Sequence, residues 1–278
     1  MLSTWLLRIL TAIGAIILVR KSTEDKSTKP KVTWIGWLLN VMLAPMFIYQ
    51  PSDAFKPLNL DILKENAMNI SGLNDFGDWD ERPYRETINV INNNKDYSPL
   101  GRYLVYSSFV NRLVVTLEIQ NTLKINKSLK EYSQQNKIKR PCFVLGMPRT
   151  GTTFLHQLLS LDPNVRAPKT YELDYPVPQI PDDLEKDKEA RIKQSEFLIS
   201  RVKFLAPHLL QSHEMSPTAY EQCSHVLVND VPIDPKAFMF KNKETFDLVL
   251  NWNWEKVYQN YYKVSLFHTN YPFINHIM

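Results

Sequence analysis

The chain has 278 residues, 44% apolar and 12% aromatic, enough for a packed core in one large domain or two small ones. Its formal net charge of +4 is mild and compatible with a polyanionic small molecule. There is no arginine-rich run and no nucleic-acid recognition motif, which argues against a nucleic-acid partner, and two cysteines make neither a disulfide framework nor a zinc site.

The first fifty residues differ from the rest. Residues 5–19 are apolar apart from Arg8 and Thr11, and a polar linker, RKSTEDKSTKPK, runs to Lys31. A second apolar stretch, 32–49, carries Trp34 and Trp37 and is interrupted by Pro45. A spanning helix needs about 20 apolar residues, so each stretch is short or broken. Two readings follow: attachment to a membrane with tryptophans at the interface, or two buried or interfacial amphipathic helices. If both stretches cross, the basic linker faces the cytosol and the remainder the lumen of an endomembrane compartment, endoplasmic reticulum or Golgi.

Residues 58–137 read as mostly helical, with turns at Ser71-Gly72, at the three asparagines 92–94 and at Pro99. Then comes a short apolar run, Cys142-Phe143-Val144-Leu145, that reads as a buried strand. The octet GMPRTGTT follows, from Gly146 to Thr153, and Phe154, Leu155, Leu158, Leu159 and Leu161 recur beyond it at helical spacing. Strand, glycine loop and helix together cradle a phosphate, because loop and first-turn N–H groups converge on one anion and the helix dipole adds attraction. Prolines at 163, 168, 176, 178 and 181 make the next stretch irregular. Helices are expected at 184–210, 219–228 and 244–263, the charges of 185–193 forming a solvated face. The division expected is 1–50 as membrane-associated apolar segments, 51–139 as a helical leader and 140–278 as the core.

The loop departs from the nucleotide triphosphatase pattern. Gly146 and Gly151 have its spacing, but no lysine follows Gly151; the cation sits inside the loop, at Arg149. The run P-R-T-G-T-T resembles the phosphosulfate-binding loop of the sulfotransferase family, whose donor is 3′-phosphoadenosine-5′-phosphosulfate (PAPS). Upstream, residues 72–91, 98–102 and 110–113 resemble the helical leader of one branch of that family. Downstream, 162–178 resembles the segment after its first helix, so the likeness covers roughly 72–263. It implies an α/β fold: a P-loop-type parallel sheet flanked by helices, incomplete here, behind a helical N-terminal leader.

The resemblance implies transfer of a sulfuryl group from PAPS to a hydroxyl or amine. Arg149 would stabilise the leaving phosphate, and Arg149, Thr150, Gly151, Thr152 and Thr153 would hold the 5′-phosphosulfate, with no metal required. The acceptor must lose a proton, and Glu172 lies at a distance beyond the loop arginine similar to that of the base in protein-tyrosine sulfotransferases. The other reading of Glu172 is a carboxylate bonded to a helix end or to Arg166. His156, His213, Glu214 and Glu221 are second-tier candidates. The acceptor would be a small molecule, carbohydrate or lipid. Beyond Arg149 only Arg166, Arg191 and Arg201 occur, and none has the strand and serine partner expected of a 3′-phosphate site. The chain therefore reads as a C-terminally truncated relative, and a truncated, non-catalytic sulfotransferase-like protein is the alternative to an enzyme.

Overall fold

A computed structural model of the chain describes residues 33–93, 97–125, 142–147, 150–180, 182–205, 207, 215–232 and 243–270. The first helix, α1 (Trp34–Tyr49), starts where the Thr33 hydroxyl accepts from the N–H of Gly36 at 3.1 Å. It ends at Gln50, whose left-handed φ of 47° turns the chain while its N–H bonds to Met46. Helix α2 (Leu60–Ser71) is capped by Asn59, which accepts from the N–H groups of Asp61 and Ile62, and stops at Gly72 with φ 70°. Helix α3 (Arg82–Asn93) buries Tyr84, Thr87, Ile88 and Ile91, the i, i+3, i+4, i+7 stripe of an amphipathic helix.

These helices pack on α4 (Pro99–Ile125), a 27-residue helix. Leu60, Leu63 and Ala67 of α2 and Ile88 and Ile91 of α3 close over Phe109, Val110, Leu113 and Leu117 of α4. An aromatic series runs through this cluster: Phe76 to Trp79 at 5.4 Å, Trp79 to Tyr84 at 4.9 Å and Tyr84 to Phe109 at 5.4 Å between centroids. Edge-on and tilted contacts of this kind add to area burial. The buried Tyr84 hydroxyl donates to the carbonyl of Asn229 at 3.1 Å and so ties the leader to the C-terminal part.

The remaining helices follow the loop. They are α5 (Thr152–Leu159), α6 (Thr170–Asp174), α7 (Leu184–Leu205), α8 (Ser224–Leu227), α9 (Lys243–Leu250) and α10 (Trp254–Asn270). The 244–263 helix expected from sequence is divided at 251–253, where Trp252 turns inward and its indole N–H donates to Glu86 at 2.6 Å. A second cluster joins Ile119 of α4 to Leu173 of α6, Val226 of α8 and Val264 of α10. A third gathers Leu227, Val231, Val249, Trp252 and Val257.

The expected α/β class is corrected by this architecture. Among the described residues there is no strand and no sheet, only helices and one isolated antiparallel bridge between Lys169 and Tyr220. Residues 142–147 have no regular secondary structure, and Cys142, expected to be buried, is exposed, as are Phe143 and Leu145. The reason is physical: a parallel strand takes its hydrogen bonds and its two-sided burial from neighbouring strands, and none lies beside this segment among the described residues. No helix of the described residues is long and apolar enough to cross a membrane.

Asp230, beside α10, is a partly buried carboxyl whose titration bears on stability. Burial pushes it up to about 7, against the amide of Asn260, which donates to it at 3.0 Å. Its stabilising contribution is full below the unfolded value of 3.8 and is lost as pH rises through about 7. Asp230→Asn keeps an oxygen for Asn260 and removes the charge. It is expected to be near neutral at pH ~4 and to raise unfolding stability at pH ~8 by an amount on the order of a few kcal/mol, measured by urea denaturation at both values. Separately, Leu113→Ala should cost about 2–5 kcal/mol, since Leu113 is fully enclosed between α2, α3 and α4.

Candidate functional site

The loop begins at Gly146. A Cβ there would lie 2.7 Å from the Thr152 methyl and 2.9 Å from the Thr150 hydroxyl oxygen, so glycine is required by space. The Thr150 hydroxyl donates to the carbonyl of Met147 at 2.7 Å and closes the turn. Gly151 takes φ 87°, a conformation other residues rarely adopt, and opens α5 with no side-chain cap. The first helical bond runs from the N–H of Leu155 to the carbonyl of Gly151 at 3.0 Å. The N–H groups of Thr152, Thr153 and Phe154 come before it, at the positive end of the helix, where an anion is favoured. Thr150, Gly151 and Thr153 are exposed. Pro148 and Arg149 lie outside the described residues, as do His213 and Glu214.

Helix α5 buries none of its residues. Phe154, Leu155 and Leu158 are exposed, as are Phe143 and Leu145 before the loop. Its third turn is fastened locally, by the Ser160 hydroxyl donating to the carbonyl of His156 at 2.7 Å. His156 is half-buried; burial lowers its pKa, and the nearby charge of Glu221 works against that shift.

Glu172 lies in α6, a single turn set by the Lys169–Tyr220 bridge and by the N–H groups of Thr170 and Tyr171 bonding to the carbonyls of Ala219 and Pro217. Its carboxylate is committed in two directions. Oε2 accepts from the backbone N–H of Lys169 at 2.8 Å, as in a capping box, and Oε1 pairs with the Arg166 guanidinium at 2.6 Å. Tyr171 donates to the same Oε1 at 3.3 Å, and burial first, then Glu172, pushes its hydroxyl up to about 12. These bonds fix the orientation of the Glu172 carboxylate. Both alternatives of the second sequence reading, the helix end and Arg166, are therefore present together.

A second group of polar residues surrounds α6 and went unread in the sequence. Asp174 accepts from the Ser195 hydroxyl at 2.7 Å and faces His225 Nδ1 at 3.3 Å. The other ring nitrogen of His225 lies 4.0 Å from Glu221. The partners come from residues 21 and 51 positions away in the chain, which no local pattern reveals. The arginines considered for a 3′-phosphate are engaged elsewhere: Arg166 with Glu172 and the carbonyl of Ala167, Arg191 with Asp187 and the carbonyl of Tyr175. Arg201 lies against the Phe197 ring. Among the described residues no group of three or more His, Cys, Asp or Glu side chains is arranged to hold a metal ion.

Comparison with known proteins bears on residues 141–272, which match the model of the sulfotransferase family. In fold, the chain is similar to the crystal structure of sulfotransferase STF1 from Mycobacterium tuberculosis H37Rv, with a TM-score of 0.59 and 22% identity over 76% of this chain and 57% of that one. It is likewise similar to sulfotransferase STF9 from Mycobacterium avium, with a TM-score of 0.60 and 19% identity over 75% of this chain and 53% of that one. The chain thus spans little more than half the length of either solved structure. No curated protein sequence matches it. Residues 141–272, which contain the loop and α6, are thus similar to the sulfotransferase family, and the fold of the chain is similar to that of the two solved sulfotransferases.

Proposed function

We propose that the loop from Gly146 to Thr153 binds the 5′-phosphosulfate of PAPS and that the chain transfers its sulfuryl group to a hydroxyl or amine. The observation that carries this reading is the loop itself. It has an uncapped helix start behind Gly151 at φ 87°, a Gly146 with no room for a Cβ, and Arg149 between them in sequence. Such a cradle fits a sulfate- or phosphate-sized anion and supplies donors without a metal. In the reaction the acceptor oxygen or nitrogen bonds to sulfur. The bond from sulfur to the bridging oxygen breaks, and that oxygen leaves with the electron pair on adenosine 3′,5′-bisphosphate. Arg149 would stabilise the charge developing there, and the N–H groups of Thr150, Thr152 and Thr153 with the Thr153 hydroxyl would hold the remaining oxygens.

Glu172 is the proposed acceptor of the proton. Arg166 and the N–H of Lys169 fix its orientation, which favours a defined approach. The acceptor is proposed as a small molecule, with carbohydrates and lipid headgroups among the hydroxyl-bearing classes. The second reading, a non-catalytic sulfotransferase-like chain that keeps the loop but lacks a 3′-phosphate site and does not hold PAPS, is favoured by one observation. Arg166 and Arg191, which could have met the 3′-phosphate, are each paired with a carboxylate.

Two variants separate these readings. Arg149→Ala should weaken PAPS binding in a calorimetric titration and, where transfer occurs, raise its barrier by about 3 kcal/mol. Unchanged affinity and unchanged transfer would contradict the assignment of the loop. Glu172→Gln should lower kcat by about 10²- to 10⁴-fold while donor affinity stays the same. A variant with full turnover, or one that loses turnover only in step with its circular dichroism, would remove Glu172 from the chemistry. Failure of the unaltered chain to bind PAPS, with no transfer to any acceptor, supports the second reading.

A further inference from the structure

Helix α1 is inverted relative to an ordinary surface helix. Its inward line is Gly36, Asn40 and Ala44, one turn apart and all buried. Its outward line is Trp34, Leu38 and Met42, 74%, 41% and 62% exposed, extended by Trp37, Ile48 and Tyr49. The polar side chain points into the protein: the Asn40 amide donates to the carbonyl of Gly36 at 2.8 Å, and its oxygen accepts from the N–H of Leu100 at 2.9 Å. No charged residue occurs anywhere in Trp34–Tyr49. A water-facing helix carries its charges outward and its large apolar residues inward. Small residues inward and large apolar ones outward is the arrangement of helices whose outer solvent is lipid.

We propose that the outer face of α1 docks on a lipid bilayer, with the helix lying in the plane of the headgroup and acyl boundary. At 16 residues it is about 24 Å long, short of the ~30 Å hydrocarbon core. Its ends are also fastened to the protein. The Thr33 hydroxyl donates to the carbonyl of Leu205, and Phe47 meets Phe55, which stacks on Tyr103. Trp34 at one end and Tyr49 at the other are the residues that settle at membrane interfaces. The segment before it, 20–31, holds five basic residues against Glu24 and Asp25, complementary to anionic headgroups, and follows the apolar run of 5–19. This proposal stands independently of sulfuryl transfer.

The test uses the full chain with Cys142 and Cys223 changed to serine and single cysteines placed by Leu38→Cys, Met42→Cys or, on exposed Glu65 of α2, Glu65→Cys. Each is labelled with an environment-sensitive fluorophore. Vesicles of phosphatidylcholine with phosphatidylserine should blue-shift the labels at 38 and 42 and expose them to quenching by lipids brominated in the acyl chain. The label at 65 should stay aqueous. Leu38→Glu with Met42→Glu should lower vesicle partitioning about tenfold or more without changing far-UV circular dichroism, since both positions are exposed. Absence of vesicle binding overturns the proposal. So does bound protein whose labels at 38 and 42 remain aqueous, which would assign anchoring to residues 1–32 alone. A shift at 38 and 42 that needs no vesicles also overturns it: one that grows with protein concentration assigns the face to a second copy, and one lost on deleting 5–19 assigns it to that segment.

Discussion

Helix α4 has to satisfy two apolar clusters at once, and the placement of the candidate site follows from that. Phe109 to Leu117 fill the space between α2 and α3, and two residues later Ile119 turns toward Leu173, Val226 and Val264. Leu173 adjoins Glu172, so the carboxylate is located by the same helix that organises the leader. The Tyr84 hydroxyl on Asn229 and the Trp252 indole on Glu86 brace the two parts from either side. Both bonds satisfy polar tips of large buried aromatics, which otherwise carry a desolvation cost.

The loop is held in a different way. Helix α5 contributes nothing to a buried core, so the loop geometry rests on short-range contacts: Thr150 to Met147, the tight fit of Gly146 against Thr152, and the left-handed Gly151. Such a loop is ready for an anion because its donors precede the first helical bond and lie at the positive helix end. Glu172, by contrast, is set in a neutralised, hydrogen-bonded environment. In the proposed reaction the two groups would meet the two demands of group transfer, charge stabilisation at the leaving oxygen and proton removal at the acceptor.

Much of the helical content was legible because it follows local rules. The Ser71-Gly72, 92–94 and Pro99 turns of the helical reading of 58–137 fall where helices α2 to α4 begin and end, 126–137 lying outside the described residues, and α5 follows the loop as the leucine spacing requires. The break between α9 and α10 was not legible, since it depends on Trp252 finding Glu86, 166 residues away in sequence. The strand rested on a four-residue apolar run and the sheet on the family resemblance, and a strand's meaning depends on neighbours this run does not have among the described residues. For the site, Gly146, Thr150 and Gly151 were readable from spacing, because steric need at a glycine loop is local. Glu172 was readable, and so was its pairing with Arg166, six residues earlier. The Asp174, Ser195 and His225 set was not, because only tertiary packing brings α6, α7 and α8 together.

The claim at the centre of this account is that backbone donors at the start of α5 receive the phosphosulfate. The most direct measurement is a backbone amide NMR titration of the full chain with PAPS. The account predicts saturable downfield shifts concentrated at the amides of Thr150, Gly151, Thr152 and Thr153, with small changes in α2 and α3. Saturable shifts confined to other segments, or no shift at these four amides at saturating donor, would contradict it.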